Sequence, residues 1–128
     1  MSKQGRVLLI DDEPIMHRLM SRVLAAHEVV VKGDAGDALQ LLGIGERFDV
    51  ILCDLNMPKM NGMQFHHALS DIDEAAADRM LFVTGGALNA ASELFIGNMP
   101  GRVVQKPVSA ASLRAAVALV LAGPAPTG

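Results

Sequence analysis

Residues 7–14 read VLLIDDEP: four apolar side chains run straight into three acids and a proline. A continuous apolar run, rather than an apolar–polar alternation, is the pattern of a strand covered on both faces. Pro14 suits a first helical turn, because its fixed φ fits and its missing N–H would have had no partner there. The stretch therefore predicts a buried strand, a turn bearing Asp11, Asp12 and Glu13, and a helix. The same grammar repeats along the chain. FDVILC (Phe48 to Cys53) and RMLFVT (Arg79 to Thr84) are further apolar runs, with weaker ones in HEVVVK (His27 to Lys32) and GRVVQ (Gly101 to Gln105). Helical patterns lie between them. In the first, Ile15, Leu19, Met20, Val23 and Leu24 form the expected apolar stripe; in the last, Leu113, Val117, Val120 and Leu121 do, with Ser109 as its cap. Five strands alternating with five helices predict a doubly wound parallel α/β sheet.

Composition agrees with one small domain. At 128 residues, 51% of them hydrophobic, the chain can bury a sizeable core. No apolar run reaches membrane-spanning length, and MSKQGR lacks the apolar segment of a signal peptide, so the expectation is a cytoplasmic protein without a membrane segment. A net charge of −3, with Tyr and Trp both absent, argues against direct nucleic-acid binding. The single cysteine, Cys53, excludes an internal disulfide, and at the end of a buried strand it reads as an inert core thiol. His17, His27, His66 and His67 share no tight metal-ligand spacing. Met57, Met60 and Met63 read as packing under a loop. Residues 1–122 are the expected domain and 123–128 a flexible tail, with no output domain.

In such a sheet Asp11, Asp12 and Glu13 follow strand one, Asp54 follows strand three, Thr84 ends strand four and Lys106 follows strand five. All lie at the carboxyl edge, where open α/β sheets bind ligands. Crowded carboxylates raise one another's pKa, and a hard divalent cation relieves that repulsion. The reading is that one acid caps helix one while the others make a metal site with Asp54. Each feature also has a plainer reading. The acids can simply complement a helix N-terminus, and Asp54 to Gly62 (DLNMPKMNG) can be an ordinary loop turning at Pro58 and Asn61-Gly62. Likewise Thr84-Gly85-Gly86 can be a plain turn, and Lys106-Pro107 a solvated lysine before a helix. It is their order on successive strand ends that speaks for a site.

Together Asp11-Asp12, Asp54 with Met57-Pro58 and Gly62, Thr84, and Lys106-Pro107 resemble the receiver domain of two-component response regulators over about residues 5 to 121. The resemblance implies a flavodoxin-like sheet of order 2-1-3-4-5. It also implies phosphorylation of Asp54 by a histidine kinase or a phosphotransfer histidine. By position, Asp12, Asp54 and the Asn56 carbonyl would hold Mg²⁺, with Asp11 acting through water, and Thr84 and Lys106 would meet the phosphoryl oxygens. Such a domain catalyses only its own phosphorylation and slow dephosphorylation. It addresses a downstream protein through the face of the fourth helix, fifth strand and fifth helix.

Departures from the family bear on read-out. Val103 and Val108 stand where aromatic residues are common, so the coupling of the site to Ala91, Leu94, Val103 and Leu113 on that face is expected to be modest. Gly86 is expected to leave the acyl phosphate little shielded and short-lived. The TGGAL and KPV contexts resemble receivers joined to hybrid kinases. Two other functions use similar residues. A phosphatase of the haloacid-dehalogenase type expects an acid two residues after its nucleophile, where this chain has Asn56. A phosphate-independent pseudo-receiver normally lacks an acid, the Thr or the Lys, and none is missing here.

Overall fold

Alternation along the strands decides the layering. In β1 (Arg6–Ile10), Val7 and Leu9 point to one side of the sheet and Leu8 and Ile10 to the other, and all four are fully buried. β3 (Val50–Asp54) and β4 (Met80–Thr84) divide in the same way. Val7, Leu9, Val50, Leu52, Leu81 and Val83 pack with Met20 and Leu24 of α1 (Pro14–Val23) and its C-cap, and with Leu113, Val117 and Leu121 of α6 (Ala110–Leu121). Leu8, Ile10, Ile51, Cys53, Met80 and Phe82 pack on the opposite face with Ala35 and Ala38 of α2 (Ala35–Gly43) and Phe65 and Leu69 of α3 (Gly62–Ile72). The computed structural model describes residues 5–85, 88–99 and 101–123.

β2 (Glu28–Lys32) and β5 (Val103–Gln105) complete a five-stranded, wholly parallel sheet of order β2-β1-β3-β4-β5. This is the flavodoxin-like order that the family resemblance implied. The expected strand ends shift slightly, β3 running from Val50 to Asp54 and β5 covering only three residues.

The helices number six among the described residues rather than five. The additional one, α4 (Glu74–Ala77), is a single turn whose first N–H groups are capped by Asp73, which accepts from Ala76 N at 3.2 Å. Four residues are too few to show a 3.6-residue period, so the pattern misses them. The fourth and fifth helices of the sequence reading are thus α5 (Ala90–Gly97) and α6. Polar caps start most helices as local chemistry predicts: Asp34, Asn61, Asn89 and Ser109 each accept from a backbone N–H of the first turn. At α3 the cap is reciprocal, with Gln64 returning a bond to the Asn61 backbone.

Two expectations for the helices are corrected. Ile15 and Leu19 belong to the stripe read from the sequence, yet they are 72% and 45% exposed while Met20 and Leu24 are buried. The five-residue stripe spreads over about half the helix circumference, and the sheet covers only the half centred on Met20. Leu113 is fully buried rather than on the read-out face. The expected tail, residues 123–128, lies outside the described residues apart from Gly123.

Candidate functional site

The carboxyl ends of β1, β3, β4 and β5 deliver the polar residues to one edge. β3 pairs with β1 on one side and β4 on the other, so Asp54, its last residue, stands at the centre. Asp11 prolongs the ladder beyond β1: its N–H donates to the Lys32 carbonyl at 3.1 Å, which draws the residue into the interior. Asp11 and Asp54 are buried, whereas Asp12 and Glu13 are exposed, and carboxylate oxygens of all four lie within 4.8 Å of one another.

Among the described residues, one cation serves this cluster. Lys106 Nζ donates to Asp54 Oδ2 at 3.0 Å and lies 3.7 Å from Glu13 Oε1. Burial alone would lower the lysine's pKa, but its bond to Asp54 and the charges of Asp54, Asp11 and Glu13 outweigh that and raise it. The ammonium is therefore charged at neutral pH. The lysine is fixed at its root as well, because its N–H donates to the Thr84 carbonyl at 2.7 Å. Gly85 leaves room for its stem, since a Cβ there would come within 2.8 Å of Lys106 Cβ. The Lys106-Pro107 peptide is cis. Asn56 braces the other oxygen of the central carboxylate, its N–H donating to Asp54 Oδ1 at 2.9 Å, and its Nδ2 donates to the Gly85 carbonyl at 3.1 Å.

Asp11 is placed differently from a solvent-facing ligand. Its Oδ1 accepts from Glu13 N at 2.9 Å, and His17 Nε2 bonds its backbone carbonyl. Asp11 Oδ2 is buried and has no hydrogen-bond partner among the described residues. Burial, with the charges of Asp54 and Glu13, raises the Asp11 pKa against the opposing bond from Glu13 N and the pull of Lys106. An orphaned carboxylate oxygen beside three more carboxylates suits a small, hard divalent cation that keeps part of its water shell. Asp12 and Asp54 would be its ligands here, with Asp11 behind them.

The structure places Asp11, Asp12, Asp54, Asn56, Thr84, Gly85 and Lys106 at one edge of the sheet. Gly62 supports them from below. Its N–H donates to the Leu55 carbonyl at 3.1 Å, and a Cβ would lie 2.9 Å from the Asp54 carbonyl oxygen. Met57 and Met60 pack against the core beneath the loop. Val103 sits opposite Phe82 in the register and is half-buried. Gly86 lies outside the described residues. The idea that an acid caps helix one needs correction: Glu13 occupies the N-cap position, but its side chain makes no cap bond and turns to Lys106 instead. The sequence reading placed Glu13 at this edge with Asp11 and Asp12 but gave it no named role, and its contact with Lys106 could not be read from the acidic run.

The histidines hold no metal cluster among the described residues. His66 packs edge-on to Phe95 and His67 lies tilted against it, and burial, then the neighbouring His67, lowers the His66 pKa. Burial pushes the Cys53 thiol pKa up, as fits an inert core thiol. A crevice of about 660 Å³ opens near Arg79, Asn98 and Arg102, at the opposite end of the sheet from Asp54. No helix among the described residues is long and apolar enough to cross a membrane.

Comparison with known proteins settles the family. Residues 7–118 match the model of the response regulator receiver domain. The chain belongs to that family. The receiver's fold is shared with a response regulator receiver domain protein from Clostridium thermocellum, at TM-score 0.80 and 23% identity over 92% of this chain and 94% of that one. It is also similar to the chemotaxis protein CheY4 of Vibrio cholerae, at TM-score 0.76 and 26% identity over 93% of this chain and all of that one (100%). Among curated proteins, it is 46% identical over 68 residues to a protein-glutamate methylesterase/protein-glutamine glutaminase of Rhizobium etli. It is 38% identical over 61 residues to the nitrate/nitrite response regulator NarL of Escherichia coli. Those matches cover 51% and 45% of this chain but only 20% and 28% of the relatives. The receiver thus spans a minor part of the length of the curated relatives it matches.

Proposed function

We propose that this receiver is a working phosphoacceptor, taking a phosphoryl group onto Asp54 from a phosphohistidine of a kinase or phosphotransfer protein. The observation that carries the reading is the Lys106 Nζ–Asp54 Oδ2 contact of 3.0 Å inside a cluster of four carboxylates. A pseudo-receiver has no need to keep a buried carboxylate, a charged lysine and an orphaned acid oxygen converging on one point. Asn56 in place of a second acid speaks against the phosphatase alternative.

The roles follow from the geometry. Asn56 N–H and Lys106 Nζ hold the two oxygens of Asp54 and so orient the nucleophile. An Asp54 oxygen forms the new bond to phosphorus as the phosphorus–nitrogen bond to the donor imidazole breaks. Lys106 turns its charge toward the transferring oxygens, and the Thr84 hydroxyl, at the end of β4, offers a further donor. Bound Mg²⁺, held by Asp12, Asp54 and the Asn56 carbonyl with Asp11 behind, would neutralise charge on the phosphoryl group. Ile15 and Leu19, exposed on α1 next to the acidic turn, offer apolar area to a docking phosphodonor. The output is read through α5, β5 and α6 in a cytoplasmic protein whose receiver domain ends near residue 122.

Acetyl phosphate with Mg²⁺ should add one phosphoryl group, located on Asp54 by mass spectrometry, and Asp54→Asn should prevent it. A phosphoryl group found on another residue, or none at all, would remove the assignment.

A further inference from the structure

The lysine at the site has two faces. Its inner face meets Asp54, whose side chain is 2% exposed, and its outer face meets Glu13, whose side chain is 55% exposed. Glu13 is therefore the solvent-facing partner of a lysine whose own side chain is 24% exposed. Its position is set from within: Asp11 Oδ1 accepts from Glu13 N at 2.9 Å, and Pro14 starts α1 immediately after it. The side chain makes no helix cap bond that would engage it elsewhere. A phosphoryl donor that reaches Lys106 and the Asp54 oxygens brings its own oxygens close to this carboxylate, which lies 3.7 Å from Nζ and within 4.8 Å of an Asp54 oxygen.

We propose that Glu13 is a donor-selecting residue, whose carboxylate shields the outer side of Lys106 and disfavours donors that arrive as small dianions. The inference rests on the phosphoacceptor reading of Asp54 and adds to it a preference set by the charge of the donor. Near neutral pH acetyl phosphate is a dianion, and phosphoramidate carries one negative charge less because its nitrogen is protonated. With acetyl phosphate, the Asp54 oxygen–phosphorus bond forms and the phosphorus–oxygen bond breaks. The electron pair leaves with acetate, and no proton moves. With phosphoramidate the phosphorus–nitrogen bond breaks instead, and the already protonated nitrogen departs as ammonia. The same nucleophile, lysine and product serve both, so a difference between them reports on the charge of the incoming group.

Removing one negative charge several ångströms from the incoming phosphoryl group should speed transfer from the dianion about fivefold and from the monoanion about twofold at low salt. The screening length falls from about 10 Å at 0.1 M salt to about 3 Å at 1 M, so the difference should shrink as salt is added. Glu13→Gln tests this with Mg²⁺ saturating in every arm and the rate of Asp54 phosphorylation followed by intact-protein mass spectrometry. The expected result is a rise in the acetyl phosphate to phosphoramidate rate ratio that disappears in 1 M salt. Glu13→Asp, which keeps the charge, should keep the wild-type ratio. A loss of local order alone would change both donors together. Equal changes for the two donors, or a ratio insensitive to salt, would overturn the role of Glu13 while leaving Asp54 as acceptor. Failure of the wild-type chain to react with either donor would overturn the phosphoacceptor reading and this inference with it.

Discussion

Lys106 Nζ and Asp54 Oδ2, 52 positions apart in sequence, meet at 3.0 Å across the end of the strand that separates them. The carboxylate is almost wholly buried, so its charge relies on this contact and on Asn56 N–H. Lys106→Met would leave the carboxylates without their cation. The variant should lose about 1–3 kcal/mol of stability at pH 7 in metal-free buffer. Urea denaturation measures it, and an equal loss in the Asp54→Asn background would point to packing of the lysine stem instead.

Four carboxylates within 4.8 Å should make the fold bind Mg²⁺ more tightly than the unfolded chain does. At a concentration about a hundredfold above Kd the stabilisation is about 2.7 kcal/mol. Asp12→Ala and Asp54→Ala should remove most of the accompanying rise in Tm. Equal rises in wild type and both variants would show that the ion sits elsewhere.

Asp11 gives a pH dependence of definite sign. Its folded pKa is raised, by burial first, so the folded state holds the proton more tightly than the unfolded chain. Stability therefore falls as pH rises from the unfolded value of about 4 through the folded pKa, and the deficit persists above it. Asp11→Asn can keep the bond from Glu13 N while removing the charge. Without metal it should melt higher than wild type at pH 7, with the gap closing toward pH 4. Parallel curves would show that Asp11 does not titrate in this way.

Backbone constraints in the loop after Asp54 predict two opposite effects. A Cβ at Gly62 would meet backbone, at 2.9 Å from the Asp54 carbonyl oxygen and 3.0 Å from Leu55 Cα, so Gly62→Ala should cost about 1–3 kcal/mol. Lys59 holds φ 68, in the left-handed region, and Lys59→Gly should gain about 1 kcal/mol. Chemical denaturation separates the two, and a stabilising Gly62→Ala would contradict the contact.

Val103 is β-branched, half-buried and opposite Phe82 in the sheet register. It is too short to carry a rotation from Thr84 to the surface of α5 and α6. Beryllofluoride with Mg²⁺ should shift NMR resonances strongly around Asp54 and Thr84 and only weakly at exposed Ala91 and Leu94. Val103→Tyr should enlarge the distal response. Large wild-type shifts at Ala91 and Leu94, unchanged in the variant, would remove Val103 as the limiting residue.

What the sequence determined by itself is whatever has a local cause. Apolar runs of strand length, capping residues such as Asn61 and Ser109, and the order of polar residues at strand ends led to a parallel sheet with Asp54, Thr84 and Lys106 at its carboxyl edge, while the strand order came from the family resemblance. Tertiary structure decided among chemically equal neighbours. Asp11 and Asp12 are identical in type, yet the bond from Asp11 N to the Lys32 carbonyl pulls one inside and leaves the other in solvent. Ile15 and Leu19 match the stripe of α1, but the sheet covers only the side centred on Met20. Glu13 takes its partner from Lys106, far along the chain, rather than from its own helix. Periodicity records which residues can face a core, whereas the docking of one strand end beside another records which of them do.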